Sequence, residues 1–416
     1  MARIFEVAII GGGVGGLCLA HGLRGCGIPV TVHERDRTST DQMQGYRVRI
    51  NREGVHALHA CLPSQGWQQF LDCSSASRSG HGFLTEQLKR LLIIDYDERP
   101  GPSESANGHY SASRTGLRGS LLSGLEDITY FRRTFNRYER RPDGRITCFF
   151  EDGSTTTADL VVGADGANSR VRQQYLPHAK RVETGMISVA GRLPYSSALT
   201  ESMPEPLLAR PNSVIAPRGC GMFLAPHDLG GSRQASATES YLMWAYGAGR
   251  GRYPSGVDLA DLNGIELREL VTENIQTWHP ALRALVSGTD PATITSIPIR
   301  TAVPVSPWQT TNVTLLGDAI HSMTPLRGIG ANVALRDAAL LTHHLTAAAR
   351  GGGDLLSAVR SYESEMVGYG FCAVRDSWTA ARRFTSENAI GRFAFKTALR
   401  MAHAMPTLRH AFAKHT

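Results

Sequence analysis

Short apolar runs, each closed by a glycine-rich turn and most followed by a helical pattern, recur along this chain. The first, "FEVAII" (Phe5 to Ile10), is unbroken enough to predict a buried strand, and "GGGVGG" follows at once. Apolar spacing then predicts a helix over Leu17 to Gly25, stopped by a "GCG" turn. A second strand, "PVTVHER", ends with Glu34. Further on, "DLVVGADGANSRVR" predicts a strand, a turn carrying Asp165, and a helix entered at Ser169 and Arg170. "NVTLL" is a strand ended by Gly317 and Asp318, and its helix begins only after a loop that reaches Ala331 and Asn332. Between these, "MISVAGRLPY", "SVIAPRGCGMFLAP" and "ESYLMWAYGAG" alternate or run apolar as sheet strands do, separated by Pro, Gly and Ser turns. "RGGGDLL" stops the helix begun at Asn332, and helical spacing resumes after it.

The first glycine turn has a specific chemical reading. Gly11, Gly13 and Gly16 stand at GxGxxG spacing between a strand and a helix, and Glu34 lies about 20 residues on, where a ribose-binding carboxylate belongs. In such a turn the first glycine permits the tight bend, the second admits a pyrophosphate and the third lets helix and strand pack. The phosphates sit on the helix N-terminus, beside Val14. A dinucleotide whose ribose keeps its 2′-OH, FAD or NAD, is therefore expected. The late turn differs, because Asp318 at a strand's carboxyl end is placed for a ligand hydroxyl, and Gly328 and Gly330 let backbone approach a flat ring. A helix N-terminus beyond them favours an anionic ring edge by about 1 kcal/mol, and about 2 when partly buried. "GAGRGR", after "YLMWAY", has glycines but no helical pattern behind it and reads as a loop.

Composition narrows the class. At 416 residues, 42% apolar and 19% charged, the chain is an ordinary globular protein long enough for two or three domains. The formal charge of +7 is modest and scattered, which suits small anionic ligands and argues against nucleic acid. Seven cysteines with no CxxC pair fit reduced thiols, and no residue cluster suggests a metal. With no leader pattern and no apolar run near the length of a membrane span, a cytoplasmic protein without membrane spans is expected, as a monomer or homodimer. The basic residues beyond Glu387 read as a solvated helix face.

The three turns together resemble the fingerprints of class A FAD-dependent aromatic monooxygenases, whose fold is that of para-hydroxybenzoate hydroxylase: "GGGVGG", "DLVVGADGANSRVR" and "GDAIHSMTPLRGIGAN", in that order. The resemblance implies a mixed α/β and α+β chain: a Rossmann-like FAD-binding domain of the GR2 type, an inserted β-sheet substrate domain and C-terminal helices. The expected boundaries are 1–75, 100–180 and 290–355 for the FAD domain, 76–99 and 181–289 for the substrate domain, and 356–416 for the helices. It implies FAD contacts at Gly11, Gly13, Val14, Gly16, Glu34, Arg35, Asp165, Gly317, Asp318, Pro325, Gly328, Gly330, Ala331 and Asn332. "SASRTGLRGSLL" resembles the family's Arg-x-x-Leu helix, which adds Arg114, and "GYRVRINREGVHAL" resembles the stretch beside the isoalloxazine, with Arg47 where many relatives have glycine.

The family's reaction is reduction of FAD by NADH or NADPH, capture of O2 at flavin C4a, and oxygen transfer to an electron-rich substrate. That implies hydroxylation or epoxidation of a bulky aromatic or polyketide-like metabolite. On the substrate side, Arg192 and Tyr246 are expected to anchor a phenolate and relay its proton, while Pro325 shapes the oxygen-reacting face. His321 is expected to be structural. The same fingerprints would also suit a redox-neutral cyclase or isomerase that keeps FAD as a scaffold, or a flavoprotein that binds a ligand without turnover. Consumption of NAD(P)H with substrate separates these readings.

Overall fold

Val7–Ile10 is buried along its whole length, and it is the central strand of a five-stranded parallel sheet. The order is Val313–Leu315, Leu160–Gly163, Val7–Ile10, Val30–His33 and Thr129–Tyr130. Parallel strands covered on both faces lose the alternation of polar and apolar positions, which is why these segments read as continuous apolar runs. The computed structural model describes residues 5–37, 47–76, 80–95, 108–196, 203–227, 240–351 and 353–405.

Two compact units divide the chain: residues 1–76, 100–182 and 300–377 form one, and 77–99, 183–299 and 378–416 the other. In the first, the parallel sheet is flanked by the helices Val14–Gly25 and Gly330–Gly351 and by much of Leu355–Phe384. Its core gathers Ile9, Leu17, Val161, Leu315, Leu341 and Phe371. The second is built on a sheet whose Tyr241–Gly249 pairs antiparallel with both Arg181–Pro194 and Cys220–His227. One face of that sheet packs Leu242, Trp244 and Tyr246 against the helices Gly264–Asn274 and Pro280–Ser287 through Leu267, Val271 and Leu282.

Four expectations shift. The first helix begins at Val14, capped by Gly13, rather than at Leu17, because glycines inside its first turn hide the apolar period without preventing the helix. The late helix begins at Gly330, two residues before Asn332. Residues 356–416 do not form a segment of their own: the helix Leu355–Phe384 is continuous through the boundary at Ser377, so its two ends belong to different units. "GAGRGR" is the end of a strand followed by a single 3-10 turn, Arg250–Arg252. Among the described residues no helix is long and apolar enough to cross a membrane.

Candidate functional site

Strand register brings the three glycine turns to one edge. Ile10 is opposite Gly163 and also opposite His33, and Gly163 is opposite Leu315. The residues that follow are Gly11, Ala164–Asp165, Glu34 and Leu316–Gly317, so all four segments leave the sheet side by side at its carboxyl end. Gly11 N–H donates to His33 O at 2.8 Å, Ala164 N–H to Ile10 O at 2.7 Å and Leu316 N–H to Gly163 O at 2.9 Å. Ligands of open α/β sheets bind at this edge.

The glycines of the first turn have distinct tasks. Gly11 has φ +114°, and a Cβ there would lie 2.3 Å from Ala164 O. A Cβ on Gly16 would lie 2.2 Å from Gly11 O, so this residue lets the helix close on the turn. At Gly13 a Cβ would meet nothing within 4 Å, and the residue is exposed. That is a cradle open to a group lying across the helix N-terminus, with Val14 half-buried beside it.

Glu34 is buried, and its carboxylate accepts from Gly12 N–H at 2.6 Å and from Asp36 N–H at 3.0 Å. A carboxylate has about four acceptor positions, so capacity for hydroxyl donors remains. Arg35 is exposed next to it. The unforeseen member is Arg118. Its buried guanidinium donates to Gly12 O at 3.1 Å and lies 3.1 Å from Asp36 and 3.7 Å from Glu34. Arg114, one turn earlier, is exposed at the start of the helix Arg114–Leu122, which Ser113 caps by accepting from Gly116 N–H at 2.9 Å. Arg47, of which the backbone is described, pairs with Ser113 across the strand ladder, so the two candidate arginines stand on adjoining backbone.

The middle turn holds Asp165, whose Oδ2 caps the helix Arg170–Tyr175 by accepting from Arg170 N–H at 2.8 Å. Its Oδ1 is buried with no partner among the described residues, and burial pushes its pKa above the usual carboxylate range. An orphaned acceptor at this edge fits a ligand hydroxyl. Arg172 ties this turn to the late one, donating to Ala167 O at 3.1 Å and Ala319 O at 2.8 Å.

In the late turn Gly317 has φ +62° and Asp318 is exposed. Pro325, also exposed, opens a 3-10 turn that ends at Gly328 in the left-handed region, and Gly330 and Ala331 then start the long helix. Thr324, before the proline, is locked to Ser377: the Thr324 hydroxyl donates to Ser377 O at 2.8 Å and the Ser377 hydroxyl donates to Thr324 O at 2.6 Å. Asn332 is buried, with Nδ2 donating to Arg49 O at 2.9 Å and Oδ1 accepting from Asn51 N–H at 2.8 Å. Its side chain is thus a staple between the late helix and the segment that follows Arg47, and any cofactor contact falls to its backbone.

The substrate-side pair needs correction. Tyr246 stands opposite Val189, and Arg192 is three residues from Val189 on the same strand, so the two side chains point to opposite faces of the sheet. Tyr246 is in the core with Tyr253 and Trp278 around it; its hydroxyl lies beside the Cys220 thiol, and burial drives its pKa upward. It cannot relay a proton to a ligand that Arg192 holds. Arg192 is exposed on the open face, 5.7 Å over the Tyr241 ring, which packs 4.5 Å from His227. Phe223, Met243 and Ala245 share that face and are half-buried.

A family model described as "FAD binding domain" matches residues 136–369. The chain is 30% identical over 371 residues to the dual O-methyltransferase/FAD-dependent monooxygenase elcB of Phaeosphaeria nodorum, a match that covers 81% of this chain and 40% of that protein. The chain therefore spans less than half the length of that relative. A structure described as a "putative FAD containing monooxygenase" from Photorhabdus luminescens superposes with a TM-score of 0.82 at 35% identity, covering 92% of this chain and 100% of the other. Klebsiella pneumoniae HpxO complexed with FAD and uric acid has the same fold, with a TM-score of 0.80 at 21% identity over 100% of this chain and 97% of that one.

Proposed function

This chain belongs to the FAD-binding domain family, and on that premise we propose that it is an FAD-dependent monooxygenase of the class A flavoprotein hydroxylase type that uses NAD(P)H and O2 to hydroxylate or epoxidise a planar, electron-rich aromatic or polyketide-like compound. The observation that carries the reading is the alignment of Gly11, Glu34, Asp165 and Gly317–Asp318 along one sheet edge. No two of these turns are close in sequence, and a single extended ligand accounts for all of them.

Bound FAD supplies the electron transfer and oxygen chemistry that amino-acid side chains lack. Around it, Glu34 would accept from the ribose hydroxyls, and the N–H groups that open the helix Val14–Gly25 would take the pyrophosphate over the open Gly13. Asp318 and the orphaned Asp165 Oδ1 would accept from the sugar-alcohol chain. The N-terminus of Gly330–Gly351 would stabilise negative charge on the ring edge, and exposed Pro325 presents a rigid face with no N–H. The apolar open face with Phe223 and Met243, and Arg192 over Tyr241, supports a flat substrate carrying an anionic or phenolic group. HpxO binds uric acid, itself a planar ring.

The protein should purify yellow, and Asp318→Ala should lose FAD on gel filtration. Anaerobic stopped-flow reduction by NADH and by NADPH, with and without an aromatic library, tests the reaction. Substrate-dependent consumption of reductant and O2 is the expected result. A flavin that no compound causes to be reduced faster or reoxidised would leave the site as a scaffold and overturn the redox reading.

A further inference from the structure

Asp337 lies outside the residues just assigned, yet three donors converge on it. It is fully buried on the helix Gly330–Gly351. Its Oδ2 accepts from Gly317 N–H at 2.8 Å and from His321 Nε2 at 2.6 Å, and its Oδ1 accepts from the Tyr369 hydroxyl at 2.5 Å. His321 is equally buried, and Tyr369 comes from the long helix Leu355–Phe384, its ring 3.9 Å beneath the Arg336 guanidinium. Three elements thus meet at one carboxylate.

Gly317, whose N–H points at Asp337, has φ +62° and ψ −139°, a region closed to residues with side chains. A glycine takes this conformation without strain, so what holds the peptide in one orientation is the partner of its N–H, and Asp318 is the next residue. Burial alone would lower the His321 pKa, but the Asp337 charge and hydrogen bond outweigh it and raise it.

We propose that Asp337, braced by His321 and Tyr369, is a positioning residue for the cofactor: it fixes the Gly317 peptide and thereby sets Asp318 against the sugar-alcohol chain of FAD. The inference rests on the assignment of Asp318 to FAD. It predicts that Asp337 matters for FAD only when Asp318 is present, which a scaffolding residue would not.

A double-mutant cycle on the full chain, read as FAD dissociation constants by equilibrium dialysis and as the visible band of the bound flavin, decides it. Asp337→Asn should weaken FAD about tenfold and shift the band, and in the Asp318→Ala background it should add less than about twofold. Full multiplication of the two losses would make Asp337 a scaffold residue and overturn the proposal. If Asp318→Ala alone leaves FAD affinity unchanged, the assignment of Asp318 fails first, and the proposal with it. Tyr369→Phe removes one donor and keeps the ring, so it covers the case in which Asp337→Asn does not fold. About threefold weaker FAD binding, again absent without Asp318, is expected, and an unchanged dissociation constant overturns the inference.

Discussion

Two glycines three residues apart separate folding from binding. Gly16→Ala drives a Cβ into Gly11 O and should destabilise the protein by several kcal/mol, whereas Gly13→Ala meets no atom of the described residues within 4 Å. Gly13→Ala should therefore unfold in urea at the midpoint of the parent apoprotein and yet lose FAD, and a lowered apoprotein midpoint would refute the open-cradle reading. Arg118 poses the opposite case. Its removal as Arg118→Met takes the guanidinium away from buried Glu34 and half-buried Asp36, and a loss of about 3 kcal/mol in urea titration is expected. The carboxylate Glu34 was readable from its distance to the glycine turn. The arginine that holds it was not, because buried and solvated arginines look alike in a helical pattern. Asp337 left a trace, since it interrupts the apolar row Val333, Leu341, Leu345 at four-residue spacing.

At the scale of elements, unbroken apolar runs ending in glycine were legible as parallel strands, since both the burial and the turn are local properties of the chain. Which way a side chain faces on the second sheet was not, because it depends on the register between strands that the sequence keeps more than fifty residues apart: Val189 opposite Tyr246 sends Arg192 to the other face. The turn at Pro325 shows how unequal an element's anchors can be. Ser377→Ala removes a buried hydroxyl that donates to Thr324 O and should cost about 1–2 kcal/mol in urea unfolding. Arg327→Gln, which breaks a partly exposed pair with Asp376 at 3.1 Å, should cost under about 0.5 kcal/mol. Equal effects from the two variants would show that the hydroxyl lock is not what holds the turn.

Over the whole molecule, acid stability should carry the mark of buried neutral histidines. His33, stacked against Phe150 with centroids 4.7 Å apart, has its pKa pushed down to about 4 by burial first and by Arg133 second. The unfolded chain takes up this proton near the ordinary value and the folded chain only near 4, so stability present above about pH 6.5 is lost as pH falls through that window, by up to about 3 kcal/mol. His33→Phe should flatten the fall in urea midpoint between pH 6.5 and 4, and an unchanged slope would remove His33 as its source.

The parallel sheet also has a schedule. Its central strand, Val7–Ile10, pairs with Leu160–Gly163, and that in turn with Val313–Leu315, so the edge that receives the cofactor is assembled from pieces about 300 residues apart. At about 5–20 residues per second of synthesis the first piece waits roughly 15–60 s for the last. Throughout that interval one apolar strand of the sheet lacks its partner on one side, an exposure of the kind that favours misassembly until the last strand is made.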